Sequence, residues 1–148
     1  MQVQRAFHSE PILAFSSAAD ARVVESDVMA LRMVTIGDIK CIAGCCYFTS
    51  GGDLRCGVNR MILETLERLS RGGAIPLLIG ADFNLTADAW SDCPIDWRRR
   101  LAAELVVPDC KVTCRAPKTE GGGRVIDYFL ISKCLVPAVD RCEVVQDV

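Results

Sequence analysis

The chain has a single histidine, His8, and none of its nine cysteines are spaced as Cys-x-x-Cys. These two gaps argue against a zinc site, because Cys41-x3-Cys45-Cys46 and Cys110-x3-Cys114 are not the ligand spacings that zinc modules use. A long apolar stretch is also missing: no window approaches the ~18 uncharged apolar residues of a membrane span. The N-terminal MQVQRAFHSEPILAF lacks the extended apolar region of a secretory leader. With an odd number of thiols and no leader, a secreted disulfide framework is not expected. The cysteines are read as buried free thiols in a reducing compartment, so the chain is expected to be soluble and intracellular, cytoplasmic or nuclear, with no membrane partner. A basic excess is absent as well, with 17 Lys and Arg against 19 Asp and Glu and a pI near 5.4. That balance excludes a dedicated basic nucleic-acid-binding face and leaves room for a small local patch.

What is present is a core. The composition is 51% apolar with a mean hydropathy of +0.26, and 148 residues suffice for one domain. Residues 1–27 form a poorly defined N-terminal segment of short apolar pieces among Ser, Ala and Asp. From Val28 the pattern is definite. VMALRMVTI and IKCIAGCCYF, joined by Gly37-Asp38, predict antiparallel strands over 28–36 and 39–48 with a tight turn between them. VNRMILETLERLSRGG predicts a helix with Val58, Met61, Ile62, Leu66 and Leu69 on its inner face. Glu64–Arg68 and Glu67–Arg71 are possible ion pairs on its outer face, and Gly72-Gly73 stops it. AIPLLIGA reads as a strand buried on both sides. Asp96 is placed to cap a helix through WRRRLAAEL, VVPDCKVTCRA is irregular, APKTEGGGR is a flexible turn, and VIDYFLIS and VDRCEVVQDV read as two more strands. Strands with two helices and at least one hairpin give an α/β layered fold whose sheet is not all-parallel.

The chemistry concentrates where the apolar run IPLLIGADFNLT breaks at Asp82 and Asn84. Two residues apart on an extended chain, a carboxylate and an amide face one side while Phe83 turns to the other. Such a pair suits hydrolysis at phosphorus, with Asp handling a water and Asn donating to a phosphate oxygen. An Asx turn, in which both side chains serve their own backbone, explains them equally well. Asp127 shifts the balance, because it interrupts the apolar run VIDYFLIS. An unpaired buried carboxylate there is costly, unless it sits at the wet end of the strand beside Arg124. Tyr47, at the end of its strand, is the third candidate.

IGADFN resembles the Gly-Asp-x-Asn signature of the endonuclease/exonuclease/phosphatase superfamily, and RVIDYFLIS resembles its Arg-x-x-Asp-Tyr strand. CYFTSGGDLRCGVNRMILETLERL is similar to the family's Tyr-bearing strand, loop and Asn-Arg helix, most like retroelement-type or apurinic/apyrimidinic endonucleases. The motifs run in order from about residue 28 to the end. The resemblance implies an α/β two-sheet sandwich with flanking helices and Mg²⁺-dependent hydrolysis of a phosphoester, most naturally a nucleic-acid phosphodiester. It implies that Asp82 activates water and is a possible metal ligand, that Asn84 and Tyr47 hold the phosphate, and that Asp127 orients a catalytic histidine. Arg124, beside the EGGG turn with Lys118, joins Asn84 and Tyr47 as a substrate-binding candidate. Asn59 matches a helix-start Asn and is expected to cap.

Two expected features are not found: an early strand with a metal-binding Glu, for which Glu10 and Glu25 are the upstream candidates, and a closing Ser-Asp-His. Residues 28–148 are therefore read as a partial, incomplete sandwich with impaired hydrolysis. The alternatives are an active minimal nuclease with a rearranged metal site and a non-catalytic module that binds phosphate or protein. Arg98-Arg99-Arg100 reads as the solvated face of a helix, and oligomeric state is left open.

Overall fold

Alternating burial carries the chain through its first long strands. The computed structural model describes residues 24–110, 112–114 and 123–145. After a short strand β1 (Val24–Ser26), β2 (Met29–Ile36) and β3 (Ile39–Tyr47) form the expected hairpin, in full register from Met29↔Cys46 to Ile36↔Ile39. The turn works because Gly37 takes a positive φ of 59°, which a β-branched residue would resist. β1 pairs with β2 through Glu25↔Ala30, so the sheet begins ahead of the 28–148 boundary expected from the sequence.

Helix α1 (Gly57–Leu69) then carries the chain back over the sheet, and β4 (Leu77–Asp82) runs parallel to β3. A parallel pair needs such a crossover, since a tight hairpin reverses direction. Helices α2 (Ala89–Asp92) and α3 (Trp97–Leu101) follow, then strand β5 (Ala103–Val106), strand β6 (Asp127–Ser132) and a 3₁₀ turn at Val136–Ala138. The six strands form one sheet in the order β1-β2-β3-β4-β6-β5, and only β3–β4 is parallel.

The two faces of the sheet differ. Leu31, Ile42, Ile79 and Leu130 lie in one core with Ile62, Leu63 and Leu66 of α1 and with Trp90 and Trp97. On the other face, Val34, Cys41, Ala43, Phe129 and Ile131 are covered by Leu135, with Val136, Val139 and Cys142 against them. β4 is thus fully buried on the helix side at Leu77, Ile79 and Ala81 and half-buried on the other at Leu78, Gly80 and Asp82, not buried equally on both.

Several expectations give way to tertiary context. The inner face of α1 is Asn59, Ile62, Leu63, Leu66 and Leu69, while Val58 and Met61 are exposed. Its ion pairs are Arg60–Glu64 at 2.7 Å and Arg100–Glu67 at 2.6 Å, in place of Glu64–Arg68 and Glu67–Arg71. Asp96 does cap α3 by accepting from the Arg99 amide, yet the helix stops at Leu101, where Ala102 turns left-handed at φ 49°. AELV, expected as helix, becomes β5 because β6 offers it an open edge. Residues 139–145, expected as a strand, have no strand partner. All nine cysteines are free, but only Cys41 and Cys46 are buried; burial pushes their thiols up to about 11 and about 12, well away from reactive thiolate. Among the described residues no helix is long and apolar enough to cross a membrane.

Candidate active site

Three neighbouring strands bring three of the sequence candidates into one row. The parallel register pairs Tyr47 of β3 with Asp82 of β4, and the antiparallel register pairs Asp82 with Asp127 of β6. Residues directly opposite on paired strands project from the same face, so phenol and both carboxylates share one side of the sheet. Tyr47 is 54% exposed, more open than the half-buried tyrosine that is the commoner case, and Asp82 and Asp127 are half-buried.

Phe83 explains why the row is held firmly. It is fully buried on the opposite side, stacked on Tyr128 at 4.2 Å, tilted on Phe48 at 4.8 Å and edge-on to Trp90 at 5.5 Å. Trp90 Nε1 donates to the Tyr128 hydroxyl, which donates to the Leu85 carbonyl, each at 2.9 Å. The polar end of the strand is therefore anchored by an aromatic cluster directly beneath it.

Asn84 reconciles the two readings of this stretch. It sits at φ 52°, and its backbone N–H donates to Asp82 Oδ1 at 3.0 Å, which is an Asx turn. The turn swings the amide across the sheet, where Nδ2 donates to the Phe48 carbonyl at 2.6 Å. Asp82 and Asn84 thus do not project from one extended strand; a left-handed turn brings them together. Partial burial raises the Asp82 carboxyl above its ordinary value, the Asn84 N–H draws it back, and the neighbouring Asp127 charge raises it further.

Asp127 opens β6 and is neither deeply buried nor paired with Arg124 by any ion pair among the described residues. Arg124 is exposed and exchanges backbone hydrogen bonds with Cys114, which places it at the rim just before Asp127. Lys118, His8, Glu10 and most of the turn expected over APKTEGGGR lie outside the described residues. Glu25 is described and lies apart from Asp82 and Asp127. It lies on β1, three strands from β4, or about 14 Å at the usual strand spacing.

Two contributors have roles that the local sequence does not show. Asn59 is buried and caps nothing: the N-cap of α1 is Cys56. Instead its Oδ1 accepts from the Thr49 N–H at 2.8 Å and the Thr49 hydroxyl at 3.0 Å, pinning the loop that follows Tyr47 and Phe48. The two partners are ten residues apart, and no local pattern links them. Replacing Asn59 by Leu should strand the Thr49 donors and lower stability by about 1–3 kcal/mol, read as a shift of the urea midpoint; an unchanged midpoint would remove this role. Thr113 is the second, with its hydroxyl on the backbone of Asp127.

The site is a shallow row at the strand ends. A groove of about 380 Å³ along Leu135–Cys142 and a cavity of about 280 Å³ between the 52–55 and 85–93 loops do not include Tyr47, Asp82, Asn84 or Asp127. Among the described residues no three His, Cys, Asp or Glu side chains cluster to hold a metal ion.

No protein-family model matches the sequence, and no curated protein matches it. Solved structures do. The chain is similar to the endonuclease domain of TRAS1, a telomere-specific non-LTR retrotransposon, at 15% identity and TM-score 0.53, over 82% of this chain and 60% of that one. It is similar to a β-hairpin deletion mutant of beta toxin from Staphylococcus aureus at 17% identity and TM-score 0.52, over 82% of this chain and 49% of that one. At these identities the likeness is one of fold: the chain carries an α/β fold of the endonuclease/exonuclease/phosphatase type and spans about half to three fifths of the matched structures.

Proposed function

We propose that this chain is a phosphoester hydrolase scaffold whose substrate is a nucleic-acid phosphodiester and whose working residues are Asp82, Asn84, Tyr47 and Asp127. The observation that carries the reading is the single row Tyr47–Asp82–Asp127 at adjacent strand ends, with Asn84 folded back beside it. The similarity in fold to an endonuclease domain supports it.

In this reading Asp82 accepts a hydrogen bond from the attacking water and takes its proton as the bond to phosphorus forms, while the ester P–O bond on the far side breaks and its oxygen leaves, taking a proton from solvent. With no cation bound, its raised carboxyl makes it a better base than an exposed aspartate. Asn84, with the amide hydrogen not committed to Phe48, and Tyr47, with its exposed phenol, donate to the phosphate oxygens, where charge builds as water attacks. Asp127 keeps a second carboxylate opposite Asp82, and Arg124 contacts flanking phosphate at the rim. The donor set fits Mg²⁺ in a limited way, since that ion takes one or two carboxylates and fills its shell with water and phosphate oxygens. Asp82, with Asp127 beside it, would hold the ion, which when bound would neutralise phosphate charge.

The test is nicking of supercoiled plasmid with Mg²⁺ and with chelator. Asp82→Ala is expected to lower the rate by roughly 100-fold or more, and chelator should abolish it. Equal rates for wild type and variant would refute the assignment. Phosphate-dependent thermal stabilisation without cleavage would instead mark a binding module on the same fold.

A further inference from the structure

We infer that Thr113 is a positioning residue: its hydroxyl stands in for a missing strand beside β6 and holds Asp127 opposite Asp82. Strand β5 covers the outer edge of β6 only as far as Val106↔Phe129. Beyond that pair, towards the site, the backbone of β6 has no neighbouring strand on that side among the described residues, and backbone N–H groups in a half-buried position need an acceptor. Thr113 Oγ1 supplies it, accepting from the Ile126 N–H at 2.9 Å and the Asp127 N–H at 3.1 Å.

The hydroxyl is used to its full capacity of two lone pairs and one hydrogen. Its remaining valence faces the Arg124 carbonyl at 3.4 Å. That carbonyl also accepts from the Thr113 and Cys114 N–H groups, at 3.0 Å each, while the Arg124 N–H donates to the Cys114 carbonyl at 2.9 Å. The 113–114 segment is thereby fixed to the entry of β6. On the inner side, the Phe83 N–H donates to the Ile126 carbonyl at 2.8 Å. The peptide that carries Asp127 is gripped from both sides, by β4 and by Thr113, and its carboxylate takes its place in the row as a consequence. Thr113 touches no substrate in this scheme; it acts through Asp127.

The catalytic half of this inference rests on the hydrolase reading, and the positional half does not. Thr113→Val keeps the shape and removes the acceptor, while Thr113→Ser keeps the acceptor. In the plasmid assay Thr113→Val is expected to lower kcat by roughly 100-fold with KM little changed, as a misplaced group does, and Thr113→Ser should restore most of the rate. A variant that loses KM instead, or a Ser variant as impaired as Val, would overturn the role. If the wild-type chain cleaves nothing under any condition, the hydrolase reading fails and amide hydrogen exchange decides the rest. Thr113→Val should then expose the Ile126 and Asp127 amides to faster exchange while Leu130 and Ile131 stay protected, and Ser should keep all four protected. Unchanged exchange at Asp127 in Thr113→Val would refute the positioning itself.

Discussion

Replacing Phe83 by alanine is expected to destabilise the protein by about 3–5 kcal/mol, the usual loss for emptying a buried aromatic site. The expectation stands on placement. Phe83 is fully buried and touches three other rings, those of Phe48, Tyr128 and Trp90. Each aromatic pair adds about 0.5–1.5 kcal/mol beyond the area it buries. The vacated space cannot collapse easily, because Tyr128 lies in β6 and Phe48, just past the end of β3, is tied to β4 by its N–H donating to the Asp82 carbonyl at 2.9 Å. With a total stability on the order of 5–15 kcal/mol, Phe83→Ala should lose much of its folded population in moderate urea. Phe83→Leu, which refills most of the volume, should lose clearly less. Equilibrium urea unfolding measures both, and a loss below about 1 kcal/mol for Phe83→Ala would mean the cluster does not anchor the strand end.

The same residue shows why part of the site is legible in the sequence. Phe83 between two polar residues implies one buried and one open side, and that holds. What local pattern cannot supply is where the turn sends the Asn84 amide, onto a carbonyl 36 residues earlier in the chain. Nor can it supply the parallel register that sets Tyr47 beside Asp82. The hairpin of β2 and β3 is legible because Gly37-Asp38 and the alternation around it are local signals. α1 is legible as a helix but not in its rotation. Val58 and Met61 are apolar and look inward by periodicity, whereas Asn59 takes the inner position because Thr49 provides its partners.

The misread elements share one cause. AELV has helical propensity, and the open edge of β6 overrides it. VDRCEVVQDV has the composition of a strand, but over residues 139–145 it joins no edge of the sheet and instead lays Val139 and Cys142 against the apolar face. The triple arginine behaves as its composition suggests: Arg100 stacks over Trp97 at 4.4 Å and pairs with Glu67, and Arg99 is exposed. Asp127 illustrates the intermediate case. Its oddness in an apolar run is a real signal, but the cause is position at the strand entrance, next to Asp82 and under Thr113, where no ion pair is needed.

Asp82→Asn should produce opposite changes in activity and stability, and that combination distinguishes a working carboxylate from a structural one. The asparagine keeps an oxygen for the Asn84 N–H that now bonds Asp82 Oδ1, so the turn survives. It cannot take a proton from water, and nicking should fall as far as in Asp82→Ala. Stability should move the other way. Burial and the Asp127 charge raise the Asp82 carboxyl above its ordinary value of 3.8, more than the Asn84 N–H lowers it. A carboxyl raised on folding binds its proton more tightly in the folded than in the unfolded chain. Its favourable contribution is present in full below the unfolded value and is lost as pH rises through the folded one. At neutral pH the ionised Asp82 therefore strains the fold, and Asp82→Asn relieves that strain. The urea midpoint of the variant should exceed that of the wild type at pH 7. The gap should close on acidification towards about pH 3, where the Asp82 carboxyl is largely protonated whether folded or unfolded. Paired unfolding curves at the two pH values decide the matter. A variant less stable at neutral pH, or a gap independent of pH, would show that Asp82 is held as a structural cap and not kept charged beside Asp127 for chemistry.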